Sequence, residues 1–137
     1  MILIMFIDNN GGMMFNRRRQ SQDRIALEKI LGMIAGSTLW MNEYSAGLFS
    51  RLAAPQIHID GQFLDRARPG DYCLVENVDV SPYLSFVEKI VLFHWNRDYP
   101  SDMKFPVKLN DGKWVLQGQE EFAGSSHEKI TMEVYTR

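Results

Sequence analysis

The densest group of residues able to do chemistry lies between positions 16 and 24. Asp23 sits there among Arg17, Arg18, Arg19 and Arg24, and Asn16, Gln20 and Gln22 add amide donors and acceptors. Guanidinium forks match the paired oxygens of carboxylates and phosphates. A carboxylate in turn suits an amino or guanidino group. The pattern points to a pocket for a small anionic or nucleotide-like ligand, with Asp23 reading its amino edge. The competing reading is a solvated basic loop balanced by Glu28 and Glu43, in which Asp23 only caps a helix.

Other polar groups are sparser. His127 follows Ser125 and Ser126, a composition that suits a nucleophile beside a base. Neighbours on a tight turn rarely face each other, so the run reads as a hairpin turn. The segment Trp95–Pro100 reads as a loop held by Asn96 and Asp98 side chains rather than as a pocket rim. The three histidines are His58, His94 and His127. They form no His-x-His-x-Asp-His pattern, and no metal site is expected. His58 alternates with Ile57 and Ile59, so it should face the other side of its strand. The single cysteine, Cys73, rules out an intrachain disulfide and suits a reducing compartment. It lies in the apolar run Tyr72–Val75 and should be a buried small hydrophobe.

These groups need a frame. Ile2–Ile7 is a continuous apolar run ending in Asp8-Asn9-Asn10-Gly11-Gly12, which reads as a strand buried on both faces and stopped by turn residues. Ser21-Gln22-Asp23 reads as a helix start, with Ile25, Leu27, Ile30, Leu31 and Ile34 on one face and Gly36 at the end. Further strands are expected at 38–41, 56–59, 72–75 and 89–95. Helical segments are expected at 43–52, 63–67 and 81–86, and 96–106 as a loop. Trp114–Gln117 and Ile130–Tyr135 should close the sheet around an Ala123–Ser126 turn. Alternating strands and helices predict an α/β fold: three layers, a mostly parallel sheet with helices on both faces, and a C-terminal antiparallel hairpin. Ligands of such sheets sit beyond the strands' carboxyl ends. That directs attention to the Asp8–Gln20 loop and Asp23.

In this order the chain resembles dihydrofolate reductase. The first strand, Asp8 and a glycine loop are similar to that family's opening, and Asp23 stands where it places an acid at the start of its first long helix. Lys89–His94 resembles its fifth strand, Asp102-Met103-Lys104-Phe105-Pro106 its "D-x-x-F-P" segment, and Met132–Tyr135 its closing hairpin. The resemblance implies that Asp23 holds a ligand or donates a proton with a raised pKa. It puts Asp8, Arg17, Arg18, Arg19, Gln20, Leu27 and Phe93 on the ligand side. It also marks departures. Glu76-Asn77 replaces the glycine pair that approaches the pyrophosphate, and Asn42-Glu43 replaces the glycine and arginine that take the ribose phosphate. Phe93 replaces a threonine, Arg18 a tryptophan, and Ala54 the arginine for the folate tail. NADPH is therefore not expected as cofactor, and none is assigned. The chain further resembles small bacterial proteins carrying "N-R-R-R-Q-S-Q-D-R" and "S-S-H-E-K-I-T", often called ribonuclease Z. Too few histidines are present for that zinc chemistry.

With 137 residues, 45% hydrophobic and 23% charged, the chain fits one domain, 1–137. A net charge of −2 excludes general attraction to nucleic acid or anionic lipid. The apolar start is too short for a membrane span and lacks a basic flank, so a cytoplasmic protein is expected. The eight methionines, including Met13-Met14, should be core filler. The sequence leads to a divergent relative of dihydrofolate reductase that binds a small anionic ligand near Asp23. Its rivals are an oxidoreductase with a nicotinamide or other cofactor, and a protein-interaction module such as a homodimer.

Overall fold

The computed structural model describes residues 1–52 and 54–137. Its frame is a seven-stranded sheet built on the first apolar run. Strand β1 (Ile2–Ile7) is buried along its whole length. It lies between two parallel neighbours, β6 (Tyr72–Leu74) and β7 (Lys89–His94). A strand without polar positions can only sit in such a centre, where both faces are covered. Its residues alternate between two cores. Leu3, Met5 and Ile7 enter one, and Ile2, Ile4 and Phe6 enter the other.

Strands β4 (Leu39–Met41) and β5 (Ile57–Ile59) extend the parallel part beyond β6. On the other side β10 (Ile130–Thr136) pairs antiparallel with β7, and β9 (Val115–Phe122) antiparallel with β10. The strand order is β5-β4-β6-β1-β7-β10-β9. This is the mostly parallel sheet with an antiparallel end that the element order predicts.

Helices cover both faces. Helix α1 (Arg24–Met33) buries Ala26, Leu27 and Ile30 against the Phe6 side. Helix α2 (Glu43–Ala46) continues as a 3-10 turn over Gly47–Phe49, which adds Phe49 to the same core. Helix α3 (Phe63–Arg66) buries Phe63 and Leu64 on the opposite face, beside a 3-10 segment at Ser81–Phe86. Each fully buried Leu, Ile or Phe contributes about 1.5–3 kcal/mol of transfer free energy. Met13, Met14 and Cys73 are buried among these residues. Burial pushes the Cys73 thiol up to about 12.

Some expectations change. The helix expected over 43–52 is split, because the chain tightens into 3-10 geometry from Gly47. The Asp8–Gln20 loop is a small sheet: β2 (Gly12–Phe15) pairs with β3 (Arg18–Arg19) and with β8 (Met103–Lys104). Asn16 and Arg17 make its tip, both with positive φ, +52° and +63°. That geometry suits a two-residue hairpin. The supposed loop 96–106 therefore contributes a strand. His58 and Ile59 are both exposed on the sheet's edge. Among the described residues no helix is long and apolar enough to cross a membrane.

Candidate functional site

The carboxyl ends of β1, β6 and β7 carry Asp8, Glu76 and Trp95. The end of α1 that faces them begins at Asp23. Its Oδ1 accepts the Ala26 N–H at 3.1 Å, so it caps the helix. Its Oδ2 accepts the Ser126 N–H at 2.8 Å and lies 3.3 Å from His127 Nδ1. The turn from Gly124 to His127 closes over this carboxylate. A Cβ on Gly124 would stand 2.3 Å from Asp23 Oδ2, so only glycine fits there. The Asp23 side chain is 0% exposed.

The raised pKa expected for Asp23 is reversed. Burial pushes the carboxyl up, but backbone N–H donation from Ser126, Ser125 and Ala26, together with His127, outweighs it and holds the carboxyl well below the carboxylate range. Asp23 stands in the wall of a cleft with its carboxylate buried rather than presented to it, and the arginines do not surround it. Arg24 instead pairs with Glu28 at 2.7 Å. Arg17 and Arg18 are exposed at the hairpin tip.

Arg19 turns the other way. Its guanidinium forks onto Glu76, with contacts of 2.9 and 3.0 Å, and lies 4.3 Å from the Tyr44 ring centre. The Glu76 bond raises the Arg19 pKa further. Glu76 is buried, so its charge is met inside the protein rather than left to repel a ligand. Of the two acids that balance the basic loop in the competing reading, Glu28 pairs with Arg24 and Glu43 is exposed. Asn42 caps α2, and its amide donates to Asn77 at 2.9 Å. This clasp borders a cavity of only about 10 Å³ lined by Phe6, Gln20, Ser21, Glu76 and Trp95.

Asp8 and Gln20 tie the chain together, and Gln20 also lines an opening of about 300 Å³ with Arg18, Arg19 and Tyr99. Buried Asp8 accepts N–H bonds from Gly12, Asn10 and Tyr99 and the Gln20 amide. Burial would raise its pKa, but these donors prevail and lower it. Phe93 is fully buried, 5.0 Å from the Phe6 ring, and belongs to the core. Leu27 is buried on α1 yet reaches the rim of a cleft.

His127, which the sequence reads as a hairpin-turn residue whose neighbours do not face it, does meet Ser126 across the turn. It is buried, stacked 4.5 Å from the Trp95 ring, and central to a polar network. Nδ1 faces Asp23 and the Ser126 hydroxyl, 2.9 Å away. Nε2 lies 3.1 Å from both the Ser21 and the Tyr99 hydroxyls. A carboxylate only accepts, so the network assigns the ring proton to Nδ1 and leaves the Nε2 lone pair to the two hydroxyls. Ser21 and Tyr99 stand 106 and 28 residues from His127 in sequence. No local spacing could have joined them.

A larger opening also lies beside this network. A cleft of about 430 Å³ runs between the start of α1 and the Gly47–Leu52 segment, lined by Leu27, Leu48, Leu52, Arg24, Arg51 and Ser125. The loop at Trp95–Pro100 is held as expected, with the Asn96 amide donating to the Lys129 carbonyl and Thr131 hydroxyl. Among the described residues no group of three or more His, Cys, Asp or Glu could hold a metal ion.

No family model matches the chain, and no curated protein matches it. Among solved structures it is similar to dihydrofolate reductase from Enterococcus faecalis complexed with NADP(H) and RAB-propyl. The TM-score is 0.68 at 9% identity, over 99% of this chain and 95% of that one. With strand order, helix placement and sealed acid now in view, the chain has a dihydrofolate reductase-like fold.

Proposed function

We propose that this protein is a divergent, NADPH-independent relative on the reductase fold that binds a small anionic ligand with an apolar body. The observation that carries the reading is the cleft between α1 and Gly47–Leu52. Leucines supply its apolar wall, and Arg24, Arg51 and Ser125 supply groups for an anion. It keeps the ligand near Asp23 but gives that residue the task of shaping the cleft wall, since its carboxylate is spent on the Gly124–His127 turn. The Arg19–Glu76 clasp supports the loss of NADPH. It places an ion pair, a buried carboxylate and about 10 Å³ of space beside the segment where the resemblance sets a phosphate-binding glycine pair.

The test is thermal unfolding with aryl carboxylates, nucleoside monophosphates and NADPH, since a ligand of the folded state raises the melting point. An aryl carboxylate or nucleotide should raise it by several degrees, and Arg51→Glu should abolish the rise. NADPH should not. A comparable rise with NADPH, or an anion effect unchanged in Arg51→Glu, overturns the reading.

A further inference from the structure

We propose that Ser21, His127 and Asp23 form a nucleophilic triad that cleaves small activated esters. The inference does not rest on the anion cleft, which Ser21 does not line. Three observations carry it. Ser21 Oγ lies 3.1 Å from His127 Nε2, within reach for proton transfer. The opposite ring nitrogen faces Asp23 Oδ2 at 3.3 Å, which sets the tautomer that leaves Nε2 free to accept. The ring cannot swing away, because it is stacked on Trp95, which is itself stacked 4.7 Å from Phe6. Asp23 touches no substrate and is a positioning residue. Its helix cap and its Ser126 contact keep it ionised and immobile.

Ser21 is a half-buried residue, whereas His127 and Asp23 are buried. A substrate therefore approaches from the solvent side of Ser21. A small cavity that Ser21 lines measures about 10 Å³, the lower limit for a single water molecule. Gln20 Oε1, on a residue lining that cavity, is buried with no partner among the described residues. An acceptor there suits a water awaiting the second half of the reaction.

In the first step Ser21 Oγ bonds to the ester carbonyl carbon while its proton passes to His127 Nε2. The carbonyl π pair moves onto oxygen, and the Tyr99 hydroxyl, on the same nitrogen, is placed to donate to it. Collapse breaks the carbon–alkoxy bond, and the departing alcohol takes the proton from Nε2. Water then adds to the acyl carbon, giving its proton to Nε2. The carbon–Oγ bond breaks, carboxylic acid leaves, and Ser21 regains its proton.

The experiment uses the whole chain with p-nitrophenyl acetate and a fluorophosphonate probe. Nitrophenol release should fall about 100-fold or more in Ser21→Ala and in His127→Gln. The phosphonate should add once, on the peptide containing Ser21, and Ser37→Ala should label normally. A second variant covers any loss of folding. In Ser21→Cys, iodoacetamide should alkylate residue 21 faster than it does in Ser21→Cys with His127→Gln. Labelling that persists in Ser21→Ala, an adduct on another residue, or equal alkylation of both cysteine variants overturns the proposal.

Discussion

Asp23 owes its charge to donors from its own chain. Its folded pKa is depressed below the unfolded value of about 3.9. The stabilisation is therefore present in full above that value and is lost as pH falls through the folded pKa. Asp8 is lowered as well and adds the same sign. Asp23→Asn should cost about 1–3 kcal/mol at pH 7, the penalty of breaking a buried donor–acceptor set. It should also lose less further stability than the parent chain between pH 5 and pH 3, measured by urea midpoints at each pH. Gly124→Ala should cost a comparable amount, about 1–3 kcal/mol, because its Cβ overlaps the carboxylate and the turn must shift. At this scale the sequence offered Asp23 as a helix cap but not its company, and the raised pKa it implied is reversed. An acid before an apolar helix face is visible in one dimension, whereas the Ser126 and His127 contacts lie 103 and 104 residues away.

Among the elements, the clearest were those whose pattern admits one environment. The unbroken run Ile2–Ile7 had to be a central strand, and the face Leu27, Ile30, Ile34 had to be a buried helix stripe. The small sheet was hidden because β3 and β8 have only two residues each, too few for any periodicity, and β8 lies close to Pro100 and Pro106. Strand β9 was legible only at its start. Gln117-Gly118-Gln119-Glu120-Glu121 shows no alternation because that edge strand is exposed on nearly every residue. The hairpin tip makes a prediction at this scale. Arg17 holds φ at +63°, a region that costs a side chain about 1–2 kcal/mol. Arg17→Gly should relieve part of that strain. Hydrogen exchange at the Phe15 and Arg18 amides should slow, and the urea midpoint should rise.

For the whole molecule, the architecture is shared at 9% identity, because layer patterning rather than residue identity decides the fold. Within it the Arg19–Glu76 clasp ties the small sheet to the end of β6. Removing one partner leaves the other charge uncompensated, so Arg19→Met and Glu76→Gln should each destabilise by about 1–3 kcal/mol. The double variant should lose less than their sum, with a coupling of about 0.5–3 kcal/mol in urea unfolding. Simple additivity would show that the clasp is not an interacting unit. The same clasp explains why residue types alone did not pair Arg19 with Glu76. A fork that suits a ligand's carboxylate suits a protein's carboxylate equally well.

The turn over Asp23 also bears on how the chain is made. The cap of the first long helix needs an N–H and an imidazole that a ribosome adds more than a hundred residues later. Until then α1 begins on a carboxylate with only its own helix to hold it, and the Phe6–Trp95 stack lacks its outer ring. Strand β10, which follows the turn, must also arrive before β7 gains its outer neighbour. Strand β1 itself waits for β6 and β7, its two neighbours, and β4 reaches it only through β6, so native packing around Asp23 is completed late rather than growing outward from the start of the chain.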